Sequence, residues 1–201
     1  MIRVLLAEDQ TMVRGALASL LNLEPDIEVV AQVSRGDEVA AAAAASVPDI
    51  ALLDIEMPGR TGLDAADELA RAFPGCRILM LTTFGRPGYL RRAMEGGAAG
   101  FLLKDAPASE LASAIRRAVA GERVVDPGLA AAALSQGDSP LTPREHEVLR
   151  ASRQHATVAD LAQALYLSPG TVRNHLSSAM QKLDARNRAE AVRIAEENGW
   201  L

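Results

Sequence analysis

Residues 1–122 predict an α/β doubly wound domain with a five-stranded parallel sheet in the order 2-1-3-4-5, and residues 139–201 predict an all-α domain of four helices containing a helix-turn-helix. Five apolar runs of strand length recur in the first part, each followed by helical patterning. That is the alternation of a parallel sheet covered by helices on both faces. The alternation ends after the helical stretch Ala108–Ala120, where Asp126-Pro127 and Ser135-Gln136-Gly137-Asp138 give residues 123–138 the composition of a linker. From Leu141 onward only helical periodicity remains.

With 49% of its 201 residues apolar, the chain can bury one large core or two smaller ones, so two domains are allowed and not required. No run approaches the ~18 consecutive apolar residues of a membrane span, and Glu8 and Asp9 interrupt the start before a signal-peptide core can form. A soluble, cytoplasmic protein is expected. Cys76 stands alone, which excludes a disulfide framework and a thiolate metal cluster, and His146, His155 and His175 lack ligand spacing. The net charge of -5 argues against a protein that coats nucleic acid over its whole surface, but the charge is uneven. Residues 1–138 hold 13 Lys+Arg against 19 Asp+Glu, and residues 139–201 hold 8 against 7, so any nucleic-acid contact is expected in the second part.

The five runs are Ile2–Ala7, Ile27–Val33, Ile50–Leu53, Arg77–Leu81 and Gly100–Leu103. The first is followed by Glu8 and Asp9, the third by Asp54, the fourth by Thr82 and the fifth by Lys104. Short right-handed crossovers put all of these ends on the carboxyl edge of one sheet, where open α/β folds place their ligands. Singly, each residue has a plain reading: Glu8 and Asp9 cap the next helix, Asp54 opens the turn at Met57-Pro58-Gly59, Thr82 packs in its strand, and Lys104 is a surface lysine. Chance is a poor account of all of them together. Converging carboxylates need a cation, and hard oxygen ligands suit Mg²⁺. Lys104 offers a point charge to a phosphoryl oxygen, Thr82 a short donor, and Asp54 a carboxylate able to accept a phosphoryl group covalently.

Glu8-Asp9, Asp54 with Met57-Pro58-Gly59, Thr82 and Lys104 resemble the receiver domain of bacterial two-component response regulators. The resemblance implies that a sensor histidine kinase donates phosphate to Asp54, that Glu8, Asp9 and Asp54 hold Mg²⁺ together with the backbone carbonyl of Glu56, and that Phe101 is a switch aromatic that turns inward as Thr82 moves toward the phosphoryl group. Asp105 stands where many receivers have proline. The switch requires two packings of nearly equal free energy, and Gly85, Gly88, Gly96 and Gly97 give that region backbone freedom. Met12, Val13, Ala16, Leu17, Leu20 and Leu21 cover roughly half of the first helix, more than the ~100° stripe one core needs. The surplus is read either as a helix tucked under a loop or as an interface, with phosphorylation promoting a homodimer through the first and fifth helices.

In the second part Thr142-Pro143-Arg144-Glu145, Thr157 with Asp160, and Ser168-Pro169-Gly170-Thr171 are helix starts. On spacing alone, a helix-turn-helix and an ordinary helical bundle are equally compatible with them. Composition favours the former: Val172, Leu176, Ala179, Met180 and Leu183 form a buried stripe, while Arg173, Asn174 and Ser177 lie outward near the amino end, which reaches base edges in a major groove. Lys182, Arg186 and Arg188 suit phosphates. The segments Leu141–Glu145, Thr171–His175, Lys182-Leu183 and Asn187-Arg188 resemble the LuxR-type DNA-binding domain, which implies promoter DNA as partner and a last helix that dimerises on it. His155, Val158 and Ser177 depart from the usual pattern, and Trp200 is more simply a hydrophobic anchor for the tail. A receiver followed by such a domain is identified as a member of the NarL/FixJ class, its DesR-like branch in particular.

Two rivals are weighed. A Mg²⁺-dependent phosphohydrolase with Asp54 as nucleophile matches the placement of Glu56, but the chain has no insertions to build a substrate pocket, so it is not read as an enzyme. A constitutive DNA-binding protein with a degenerate receiver is disfavoured because every expected site residue is present.

Overall fold

The computed structural model describes residues 1–83, 87–105, 107–135, 139–198 and 200–201; Gly85 of the expected switch region and Gly137 of the expected linker lie outside the described residues. The chain forms two compact units, one of Met1–Gly85 with Leu90–Ala131 and the other of Arg86–Tyr89 with Ala132–Leu201.

The first unit alternates strands β1 (Ile2–Ala7), β2 (Ile27–Val33), β3 (Ile50–Asp54), β4 (Arg77–Thr82), β5 (Gly100–Leu103) and β6 (Val124–Val125) with helices α1 (Thr11–Leu21), α2 (Val39–Ser46), α3 (Gly62–Ala72), α4 (Pro87–Glu95) and α5 (Ala108–Val119). All strand pairs are parallel, in the order β2-β1-β3-β4-β5-β6. β1, β3 and β4 are covered on both faces, so Val4–Ala7, Ile50–Leu53 and Ile78–Leu81 read as unbroken apolar runs rather than alternating ones. α5 closes one face with Leu111, Ala112, Ile115 and Ala118.

The sheet has six strands where the sequence predicts five. Val124 and Val125 belong to it: the Val124 N–H donates to Ala99 O (2.9 Å), and the pair runs alongside Gly100 and Phe101. Two β-branched residues are too few to show a period, and their neighbours Gly121 and Pro127 are turn residues, so this strand is indistinguishable from linker in one dimension.

The second unit is helical: α6 (Pro127–Ser135) enters it, and α7 (Pro143–Ala151), α8 (Val158–Ala164), α9 (Pro169–Lys182) and α10 (Arg188–Glu197) follow. Each start signal is used. Thr142 and Thr157 form reciprocal capping boxes with Glu145 and Asp160, Ser168 accepts from the Thr171 N–H, and Asn187 caps α10 by accepting from the Glu190 N–H. Val148, Leu149, Leu161, Val172, Leu176, Ala179, Leu183, Ala191, Ala195 and Leu201 share one core.

Candidate functional site

The parallel register brings the strand ends together. Ala7 lies opposite Leu53, Asp54 opposite Leu81, and Thr82 opposite Leu103, so Glu8, Asp54, Thr82 and Lys104 leave the sheet side by side. Glu8, Asp9 and Asp54 each present a carboxylate oxygen within 4.8 Å of the other two. The Lys104 ammonium lies 2.6 Å from Glu8 Oε2 and 3.0 Å from Asp54 Oδ2. Its backbone N–H donates to Thr82 O (2.8 Å), which fixes the turn after β5 against the end of β4. Asp54 Oδ1 accepts from the Ile55 N–H (2.8 Å), which leaves Oδ2 facing the cluster. Glu56 follows in the loop with its side chain exposed, and Phe101, in β5, is fully buried. Phe101, expected to turn inward, is buried in this structure.

The electrostatics of the cluster are unbalanced. Burial raises the pKa of Asp54, with Lys104 opposing, and burial likewise raises that of Glu8, with the nearby Asp54 charge adding to it. Burial works against the Lys104 charge, but its contacts with Glu8 and Asp54 win and hold it above the usual lysine value. Glu8 Oε2 and the ammonium meet out of reach of solvent, so their ion pair is little screened. Three carboxylates against one ammonium leave two negative charges uncompensated, and Asp9 is open to solvent on the outer side. This donor set can hold a divalent metal ion with room for further oxygen ligands.

Two supports were not legible beforehand. Arg14, one turn into α1, donates through Nη1 to Glu8 O (2.6 Å) and holds the loop that carries both acids. Gly62, the first residue of α3, packs its Cα against the Asp54 carbonyl, and its N–H donates to Ile55 O (2.8 Å); any Cβ there overlaps the Asp54 backbone. An arginine on an amphipathic helix and a glycine at a helix start carry no distinctive pattern.

In the second unit Arg173, Asn174 and Ser177 are exposed on the first turns of α9, and Val172, Leu176 and Ala179 are buried. The residues expected at phosphates each have a partner within the chain. Lys182 Nζ pairs with Glu145 Oε2 (2.8 Å), Arg186 with Glu190 (2.9 Å), and the Arg188 guanidinium donates to Ala156 O (2.7 Å). Of the eight basic residues after 138, Arg150 and Arg173 make no ion pair or hydrogen bond among the described residues. Glu145 itself was missed as a site-building residue. It is buried, caps α7 through the Thr142 N–H (2.7 Å), and reaches across to Ser178 (2.6 Å) and Lys182 on α9, so one carboxylate fixes the outward helix to its scaffold. Although burial opposes ionisation, those contacts pull its pKa down to about 2.

An edge of three carboxylates and a lysine on a doubly wound sheet, joined to a capped helix-turn-helix, is the arrangement of a receiver module coupled to a DNA-binding module. The chain matches the response regulator receiver domain over residues 4–116 and the luxR family of bacterial regulatory proteins over residues 139–195. It belongs to the response regulators that unite these two domains. Among its relatives are the transcriptional regulatory proteins YvfU and DesR of Bacillus subtilis, 48% and 46% identical over the full length of both chains, and the response regulator RamR of Streptomyces coelicolor, 40% identical over 100% of this chain and 98% of its own. The crystal structure of the response regulator ChrA of a heme-sensing two-component system matches with a TM-score of 0.59 at 35% identity, covering 100% of this chain and 98% of that one. RcsB dimers bound to DNA share the fold, with a TM-score of 0.68 at 22% identity over 98% of each chain. The protein is thus a transcriptional regulator of a two-component system, with a receiver and a LuxR-type DNA-binding domain.

Proposed function

We propose that Asp54 is the phosphoacceptor, that Glu8, Asp9, Asp54 and the Glu56 carbonyl hold Mg²⁺, and that phosphorylation by a sensor histidine kinase drives homodimerisation and promoter binding in the cytoplasm. What supports this above all is the meeting of three carboxylates and one lysine, drawn from three separate strand ends, around Asp54 Oδ2. In the transfer, an Asp54 oxygen attacks the phosphorus of a phosphohistidine; the new O–P bond forms as the P–N bond breaks, and the imidazole departs. Mg²⁺ held by Glu8, Asp9, Asp54 and the Glu56 carbonyl would supply positive charge to offset that of the phosphoryl oxygens. Lys104 exchanges its carboxylate contacts for a phosphoryl oxygen, and Thr82 donates its hydroxyl to another, drawing the end of β4 toward the site. Phe101, on the neighbouring strand and already buried, holds its inward place as Thr82 moves.

The functional units are residues 1–122 as receiver, 123–138 as a linker that begins with the strand β6 added to the receiver's sheet, and 139–201 as DNA-binding domain. Arg173 and Asn174 read bases, with Ser177 beside them; Lys182 and Arg188 meet phosphates once their internal partners yield. Dimerisation runs through α1 and α5. A small apolar hollow between them is lined by Leu17, Leu20, Leu102, Leu103 and Leu111, with Lys104 at its edge, which links the phosphorylated end of the sheet to that face.

Incubation with Mg²⁺ and acetyl phosphate, followed by intact mass measurement, tests the assignment. A species heavier by one phosphoryl group is expected for the parent and none for Asp54→Ala; an unmodified parent, or equal labelling of the variant, overturns it.

A further inference from the structure

The turn between α8 and α9 carries a side chain that the fold does not use. α8 ends in a two-bond cap: the Tyr166 N–H donates to Gln163 O (3.3 Å) and the Leu167 N–H to Ala162 O (2.9 Å), which puts Tyr166 in the left-handed region at φ 55°. The same pair of bonds closes α4, α5 and α9, and there the left-handed residues are Gly97, Gly121 and Asp184. Glycine takes that conformation freely and aspartate tolerates it, whereas a bulky aromatic is disfavoured. Val47, another non-glycine at positive φ, precedes Pro48, which bars the right-handed helical region to its predecessor. No proline follows Tyr166. Its ring is 96% exposed, so packing does not account for it either.

We propose that Tyr166 contacts the DNA backbone, its hydroxyl donating to a phosphate that flanks the groove entered by α9. The inference rests on α9 being the recognition helix. Tyr166 stands two residues before Ser168, the amino-terminal cap of α9, and is therefore within about 7 Å of that helix end along the chain. Ser168, Pro169 and Gly170, which lead from it into α9, are exposed, as are Arg173, Asn174 and Ser177. Lys182, Arg186 and Arg188 are already engaged by Glu145, Glu190 and Ala156, so a neutral phosphate donor beside the helix end adds a contact that needs no free cation. Two backbone hydrogen bonds hold the residue in place before DNA arrives, which lowers the ordering cost of the contact.

The test titrates the full chain into a fluorescein-labelled mixed-sequence duplex of about 30 base pairs at several salt concentrations, because a phosphate contact does not depend on base sequence. Tyr166→Gly relieves the left-handed backbone; it is expected to melt no lower than the parent by Trp200 fluorescence, yet to bind about 5- to 20-fold more weakly with an unchanged salt slope. Tyr166→Phe keeps the ring and loses the donor, and should lose about 3- to 10-fold in affinity. Arg173→Ala, which removes a cation from the exposed face of α9, is the control and weakens binding. If Tyr166→Gly binds as the parent does while Arg173→Ala is weakened, the inference fails and the DNA-binding reading of α9 stands. If neither variant changes affinity, both fail. Should glycine loosen the turn, Tyr166→Asn, also at ease with positive φ, carries the same expectations.

Discussion

Two carboxylates, Asp54 and Glu145, are almost equally hidden from solvent and have opposite chemistry, because their partners differ. Asp54 has one backbone donor and one lysine that it shares with Glu8, too little to offset burial in a cluster of acids. A divalent cation relieves that excess, so adding Mg²⁺ at about ten times its Kd should stabilise the receiver by ~1.4 kcal/mol, read as a rise in melting temperature. Asp54→Ala should shrink the rise, and an identical rise in the variant would place the ion elsewhere. Glu145 has Thr142, Ser178 and Lys182, so its pKa falls from the ordinary 4.5 to about 2. An acid held below its unfolded value contributes stability that is full above pH 4.5 and is lost as pH falls toward 2. Trp200, the single tryptophan, sits against the core of the second unit and reports its unfolding. Melts followed at Trp200 should therefore drop steeply between pH 4.5 and 2 in the parent. Glu145→Gln should lose about 1–3 kcal/mol at neutral pH and show a flatter profile in acid.

At the level of elements, the phosphoacceptor is only as well placed as the joint between β3 and α3. That joint depends on Gly62, whose Cα lies against the Asp54 carbonyl. Gly62→Ala must push α3 away from the strand end and turn Asp54 out of line with Lys104. Labelling by acetyl phosphate should fall at least 10-fold while the far-ultraviolet circular dichroism stays close to the parent's, since misplacement of about 1 Å is costly to transfer but not to helix content. Equal labelling would show that the loop absorbs the methyl group. α9 is secured in a different way: its inner stripe of Val172, Leu176 and Ala179 packs in the core, and Glu145 pins its last two turns through Ser178 and Lys182. The outer amino end is left clear for a partner.

For the molecule as a whole, the surplus apolar surface of α1 becomes the test of how the signal leaves the receiver. Met12 and Leu20 are exposed at 88% and 44%, while Ala18 and Leu21 face the core. Met12→Lys with Leu20→Lys should leave phosphorylation of Asp54 intact and keep the treated protein monomeric by light scattering, where the treated parent is dimeric. A dimer of the double variant would move the interface to another face. Among the described residues no helix is long and apolar enough to cross a membrane, so that surface is not a spanning segment.

The alternation of runs and helices, the caps at Thr142, Thr157 and Ser168, and the polar residues after each strand were all legible in one dimension, because each depends on local periodicity or on the chemistry of a few adjacent residues. β6 was not, since two residues have no period. The charge of Lys182 is visible in the sequence, but its partner Glu145 lies 37 positions away. The sequence by itself determined the two-domain architecture and which residues reach the sheet edge. Only the tertiary structure decided which of those charges are already neutralised, because ion pairing and burial depend on distances between residues far apart in the chain.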